Sequence, residues 1–330
     1  MAIGTYRMLK CWLFPSKLQL FRIIIFDSMN ILSFDVGGTS IKYGIVNEHS
    51  EIKFKDSINT PSNEDSFLEI INSITSKNKM KFDKISVAMP GFIDKQNAMY
   101  LYGTNIKYKI DFKKINNFSH SNFVIDNDGN VAAYAEYHLN YRDKKTNLIM
   151  LTFGTGIGGG IINDGKLLRG NSNAGELGHI LISDNIEIIC NCGKNGCLEA
   201  IVSAKKWTEV CNELSLKEPD SELAILFQQR KVGSILFDEK VRLTSVQILA
   251  RDRIIKYISR GLVSIFEIFN NELFILGGSM SEEAYDLVNL IQQNIHNNFE
   301  FKGRVFPDIK ISNFQSDSGI IGAALLAQHE

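Results

Sequence analysis

The chain has 330 residues, 44% of them hydrophobic and 22% charged, with a formal net charge of −1. That is the composition of a folded globular protein long enough for two α/β cores. A near-neutral chain lacks the basic footprint of a nucleic-acid binder, so small-molecule chemistry is the expectation.

The first 28 residues mix basic and apolar side chains. Lys17 and Arg22 break the apolar stretch that a signal peptide needs, and the stretch is too short to span a membrane. Met29 reads as the natural start, with 1–28 an upstream reading-frame extension; a short helix is the alternative. An apolar strand is expected over 31–35, followed by Asp35-Val36-Gly37-Gly38-Thr39, and two further strands of a meander over 41–46 and 51–57. Gly37 and Gly38 let backbone N–H groups approach phosphate oxygens with no Cβ in the way, and Thr39 adds a hydroxyl donor. Asp35 is placed to orient the hydration shell of Mg²⁺. A plain hairpin turn is the competing reading, since the motif lacks the spacing of a Walker A loop or a dinucleotide fingerprint.

Ser62 or Asn63 caps a helix carrying Phe67, Ile70, Ile71 and Ile74 on one face. A buried strand over 84–89 closes at Pro90-Gly91. Asn105 follows Gly103-Thr104 on a loop, as a sugar contact or a turn residue. Another strand over 122–125 runs into Asp126-Asn127-Asp128-Gly129-Asn130, and a helix is expected over 130–137. Asp128 can take a proton from a hydroxyl as general base while Asn127 hydrogen-bonds a polyol. Helix capping is the alternative use, but the cluster holds more polar groups than one cap needs.

The pattern then restarts. A strand over 148–153 leads into Gly154-Thr155-Gly156-Ile157-Gly158-Gly159-Gly160, and Asp164-Gly165 signals a hairpin turn. Laying Gly37 on Gly154 also lays Ile45 on Ile162, an echo that suggests two related halves, each offering a glycine-rich hairpin to a cleft. So many glycines weaken a strand; close approach of phosphates is the expected reason, and a structural bulge the lesser one.

His179, Cys190, Cys192 and Cys197 can close a tetrahedral Zn²⁺ shell. Four protein ligands leave no position for a metal-bound water, so the metal reads as structural. Ordinary buried thiols are the alternative. The remaining Cys11 and Cys211 are too few for a disulfide framework, which fits a reducing cytoplasm. The knuckle would hold Glu176 and Glu199, whose carboxylates can accept from vicinal hydroxyls, and His179 has a second ring nitrogen to offer a ligand. Helices are expected over 203–214, 221–229, 241–269, 282–296 and 318–328, and strands over 273–276 and 308–311. Gly277-Gly278-Ser279 ends the first of these strands and exposes backbone toward a base or ribose.

Taken in order, Asp35-Val-Gly-Gly-Thr39, Pro90-Gly91, Asn127-Asp128-Gly-Asn130, the 154–160 glycine run, Gly175-Glu-Leu-Gly-His179, Cys190-x-Cys192-Gly-x-x-Gly-Cys197-Leu-Glu199 and Ile275-Leu-Gly-Gly278 resemble the ROK family (repressor, open reading frame, kinase) of bacterial sugar kinases and regulators. The resemblance runs from about Met29 to the C-terminus. It implies an α/β, actin-like ATPase (ribonuclease H-like) fold: a small domain over 29–125 to which 314–330 returns, and a large domain over 126–313 with the zinc knuckle. It implies ATP, Mg²⁺, a structural Zn²⁺ and a homodimer; the expectation of a cytoplasmic protein without nucleic-acid or membrane partners comes from the cysteine usage, charge and hydropathy above. Asp128 matches the family's catalytic base. Gly91, Asn127, Glu176, His179 and Glu199 match its sugar contacts, with Asn105 a looser match, and His179, Cys190, Cys192 and Cys197 its zinc ligands. Asp35, Gly37, Gly38, Thr39, Gly154, Thr155, Gly156, Gly158, Gly277 and Gly278 match its phosphate and adenosine motifs. Four positions depart: Asp126 stands where Glu is usual, Gly129 where Ala is usual, Ser279 replaces a glycine, and Asn105 lacks a preceding proline.

The expected activity is phosphorylation of a hexose, glucose first, with N-acetylmannosamine, fructose, allose or a β-glucoside as alternatives. Selection among them is expected to rest on contacts around Phe92, Asn105 and 170–173. A sugar-responsive repressor would carry a helix-turn-helix module, for which the stretch before Asp35 is too short. A sugar-binding protein that has lost catalysis sits poorly with an intact Asp128.

Overall fold

The computed structural model describes residues 29–78, 81–278, 286–313 and 317–330. The chain opens with the hairpin strands β1 (Asn30–Val36), β2 (Ser40–Asn47) and β3 (Ile52–Asn59), then α1 (Glu64–Lys77) and β4 (Lys84–Met89). Three short strands follow, β5 (Phe92–Asp94), β6 (Met99–Tyr102) and β7 (Ile110–Asp111), and pair as a small separate sheet. Next come β8 (Phe123–Asn127) and α2 (Asp128–Glu136). The second half begins with β9 (Leu148–Phe153), β10 (Ile157–Asn163) and β11 (Lys166–Leu167). It continues through α3 (Leu198–Val202), α4 (Ala204–Lys217), α5 (Glu222–Arg230) and α6 (Ser245–Phe269). The last elements are β12 (Leu273–Gly277), α7 (Leu287–Asn298), β13 (Asp308–Ile311) and α8 (Ser318–His329).

The echo between Gly37 and Gly154 is architectural. One five-stranded sheet runs β3-β2-β1-β4-β8 and the other β11-β10-β9-β12-β13. In both, the hairpin strands pair antiparallel and the remaining strands pair parallel. The expected hairpin at Asp164-Gly165 joins β10 to β11, and both residues have positive φ, as a type I′ turn demands.

Two helices lie between the sheets. One apolar core collects Ile31, Ala88 and Val124 from the first sheet and Leu148, Met150 and Ile275 from the second, around Val131 and Ala133 of α2 and Ile320 and Ala324 of α8. The helices approach closely because Gly322 has no side chain; a Cβ there would come 2.7 Å from the carbonyl oxygen of Val131. Buried hydroxyls fix α8 to the first sheet: Ser33 donates to Ile320 O at 2.7 Å and Ser86 to Ala323 O at 2.6 Å. Each hydroxyl therefore has a partner, which a buried polar group requires. A second core joins the far face of the first sheet to α1 and the small sheet, with Phe34, Phe67, Tyr100 and Phe112 at its centre. A third packs the other face of the second sheet against the later helices, around Trp207, Phe237 and Phe266.

Most boundaries fall within a residue or two of expectation, and three differences have clear causes. β8 extends through Asp126 and Asn127, so α2 begins at Asp128 and not at Asn130. Asn63, and not Ser62, caps α1 by accepting from Ser66 N at 2.9 Å. α6 starts four residues late, at Ser245, because Thr244 and Gln247 form a capping box. The segments 1–28, 282–285 and 314–316 and Ser279 lie outside the described residues. No helix among the described residues is long and apolar enough to cross a membrane.

Candidate active site

Asp128 is set by its neighbours. The parallel strand β8 ends at Asn127, whose side-chain oxygen accepts from Gly129 N at 2.8 Å and from Asn130 N at 3.4 Å, capping α2. The Asn127 amide also donates to Gly91 O at 3.0 Å, which ties the cap to the turn after β4. That leaves one amide N–H of Asn127 for a ligand. Asp128 is the first helical residue, with its own Oδ1 accepting from Gly129 N at 2.8 Å. Its surface is exposed, yet protein crowds it at longer range. Burial raises its pKa to about 7; the charge of Asp35 adds to this, the Gly129 N–H opposes it, and Glu176 adds further.

Those interactions place Asp35, Asp128 and Glu176 around one space. Asp35 lies on β1 opposite Lys42 of β2, and burial raises its pKa against the pull of Lys42. The first turn of α8 makes room for it, since a Cβ on Gly319 would fall 2.3 Å from the Asp35 carboxyl carbon. Gly38 and Thr39 are exposed at the tip of the β1–β2 hairpin. A Cβ on Gly38 would lie 2.7 Å from that of Asn105, so the looser sugar candidate packs directly on the first glycine turn.

The second glycine run divides into two groups. A Cβ on Gly160 would meet that of Ala133 at 2.4 Å, and one on Gly159 the carbonyl oxygen of Gly175 at 2.6 Å. These glycines, with Gly158 against Thr152, answer to protein packing: α2 and the 175 loop lie flat on β10. Gly156 faces the Glu199 carboxylate. Only Gly154, of the five, has open space where a Cβ would go, and Thr155 beside it is exposed. Packing therefore accounts for the stem of this hairpin, while its tip at Gly154 is left open. Gly277 and Gly278 are likewise closely packed, Gly278 with positive φ against the backbone of Phe153.

The knuckle assembles as its spacing suggested. His179, Cys190, Cys192 and Cys197 bring their ligand atoms within 4.8 Å of one another. Cys192 and Cys197 Sγ are 3.6 Å apart, as are Cys190 Sγ and His179 Nδ1. A tetrahedron of zinc–sulfur bonds about 2.3 Å long has edges of about 3.8 Å, so these donors fit Zn²⁺. The thiols sit on a tight turn in which Cys190 N donates to Lys194 O at 2.9 Å and Gly196 N to Ile188 O at 2.8 Å. With Nδ1 facing the thiols, His179 Nε2 points to Glu176 at 3.8 Å. Glu199 Oε2 accepts the N–H of Ile157 at 2.9 Å, joining the knuckle to the glycine hairpin.

Sequence reasoning passed over several residues here. Tyr100 donates to the carbonyls of Pro90 or Ile106, each 3.0 Å away, and braces the turn at Gly91. Asn173, expected only as part of the 170–173 stretch, also pins two loops: its oxygen accepts from Ile93 N at 3.0 Å and its amide donates to Ile93 O at 3.1 Å. Lys95, Arg169 and Glu330 surround Asp126. These partners are distant in sequence and carry no local signal.

Two twin five-stranded sheets with a pair of helices between them define the actin-like ATPase fold. The model of the ROK family matches residues 31–330, and the chain belongs to that family. A glucokinase from Halalkalibacterium halodurans is 28% identical, the match covering 90% of this chain and 94% of the relative. An N-acetylmannosamine kinase from Yersinia pestis is 29% identical over 90% of this chain and 98% of its own. Among solved structures, a ROK family glucokinase from Streptomyces griseus in complex with glucose and AMPPNP superposes with a TM-score of 0.76 at 24% identity, covering 91% of this chain and all of that one.

Proposed function

We propose that the protein is an ATP-dependent sugar kinase that transfers the γ-phosphoryl group of ATP to a hexose hydroxyl, with glucose, giving glucose 6-phosphate, the first acceptor. The observation that carries this reading is Asp128: an acid held at a helix start with its pKa raised to about 7, in a chain whose two glycine hairpins expose Thr39 and Thr155 at their tips. A base of that strength takes up a hydroxyl proton near neutral pH. As the sugar oxygen bonds to the γ-phosphorus, its proton passes to the Asp128 carboxylate, the bond to the bridging oxygen breaks, and ADP leaves. Asn105, Asn127, Glu176, His179 and Glu199, with Gly91, hold the sugar. The tips around Gly38-Thr39 and Gly154-Thr155 take the phosphates, Asp35 orients the hydration shell of Mg²⁺, and Gly277-Gly278 lie toward the nucleoside. Mg²⁺, when bound, neutralises charge on the phosphate oxygens. His179, Cys190, Cys192 and Cys197 would hold Zn²⁺ as a structural ion, which would fix His179 beside Glu176.

The same reading divides the chain into a small domain, 29–125 with the returning 314–330, and a large one, 126–313, and has it work as a cytoplasmic homodimer. N-acetylmannosamine is the second acceptor, favoured by a relative of that activity at 29% identity against 28% for the glucokinase. Coupled ADP release over a panel of hexoses and acetylated hexosamines tests the proposal. Sugar-dependent turnover with one preferred acceptor supports it, and none with any sugar of the panel contradicts it.

A further inference from the structure

Asp126 is the residue most in need of a reason. It is 0% exposed, and a carboxylate so buried is costly unless it is paired and hydrogen-bonded. Its Oδ1 accepts from Asn127 N at 2.9 Å and from the Asn130 amide at 2.8 Å. Its Oδ2 takes Arg169 Nε at 2.5 Å, with Lys95 Nζ 3.7 Å away. Both cations are also paired with the Glu330 side chain. The pair joins three pieces of chain. Lys95 follows β5 on the small sheet, Asp126 is the next-to-last residue of β8, and Arg169 opens the loop that carries Glu176. Asn173, further along that loop, ties it to Ile93 a second time.

The consequence falls on the residue two places along. Asp126 fixes the peptide N–H of Asn127 and the side chain of Asn130, the two neighbours that define the start of α2. Asp128 sits between them. The ion pairs of Arg169 among the described residues are with Asp126 and Glu330.

We propose that Arg169, with Lys95 beside it, is a positioning residue: by pairing the buried Asp126 carboxylate it sets the Asn127–Asp128 peptide and aligns the base with the Glu176 loop. This rests on the kinase reading. Arg169 acts on the alignment of the base and not on sugar or nucleotide affinity. Charge and geometry both matter, because a guanidinium offers a planar fork where an ammonium offers a point charge.

The test measures steady-state kinetics of the full chain with its preferred sugar and ATP, with melting temperatures alongside. Arg169→Gln is expected to lower kcat about tenfold or more while both KM values stay within about twofold, and Arg169→Lys to recover part of the loss. In Arg169→Gln/Asp126→Asn, neither charge remains and the amides can still pair, so kcat is expected to rise above that of Arg169→Gln alone. A folded Arg169→Gln with unchanged kcat overturns the proposal, as does a loss confined to KM. A double variant with kcat no higher than that of Arg169→Gln alone also overturns it. Should Arg169→Gln fail to fold, Arg169→Lys and the double variant carry the same comparison. Absence of sugar-dependent turnover in the unaltered protein would instead overturn the kinase reading itself.

Discussion

Glu199 Oε2 accepts the backbone N–H of Ile157 at 2.9 Å, which makes the cysteine–histidine knuckle a neighbour of the glycine hairpin and not a remote staple. Glu199 stands two residues beyond the ligand Cys197. Loosening the knuckle therefore moves a carboxylate of the proposed sugar site and the base of the hairpin together.

Cys192→Ser should remove one equivalent of zinc per chain by metal analysis. Activity is expected to fall about 10–100-fold, the usual cost of disturbing the surroundings of such a site. The rise in sugar KM should exceed the rise in ATP KM. Zinc retained at one equivalent, with unchanged sugar KM, would contradict the placement.

Two alanine substitutions separate packing glycines from ligand glycines on one hairpin. Gly160→Ala puts a methyl 2.4 Å from the Ala133 Cβ and should destabilise the fold by about 1–3 kcal/mol in denaturant unfolding. Gly154→Ala meets nothing within 4 Å, so its stability should match the parent while its ATP KM rises. Equal stability losses in both would contradict this division.

The sequence patterns that survive intact are those written in continuous apolar runs. The strands at Lys84–Met89, Leu148–Phe153 and Leu273–Gly277 fall where their side chains place them. The small sheet was not legible, because strands of two to four residues have no period to read. The start of α2 was expected late, since Asp126 and Asn127 look like turn residues and become strand only through β4 alongside. The zinc donors were legible because their spacing is local, whereas the Arg169–Asp126 pair spans 43 residues. Gly129 shows the same limit: a Cβ there would meet Gly159 O at 2.6 Å, a packing reason for glycine that the sequence does not display.

The raised pKa of Asp128 fixes two pH dependences. As general base it must be ionised, so kcat/KM should climb with pH and level off above about pH 7. For stability the sign is opposite. The folded chain holds this proton more tightly than the unfolded one, so stability from this group is lost as pH rises from its ordinary value of 3.8 through about 7. Asp128→Asn should accordingly raise the melting temperature more at pH 8 than at pH 4. An equal shift at both would show that the carboxyl is not held protonated by its surroundings.

The central claim is that Asp128 takes the proton of the sugar hydroxyl. The most direct measurement pairs turnover with binding in Asp128→Asn, by coupled ADP release and by calorimetry with the preferred sugar. Turnover is expected to fall about 10²–10⁴-fold while sugar binding stays within a few-fold of the parent. Near-normal turnover in that variant would contradict the account.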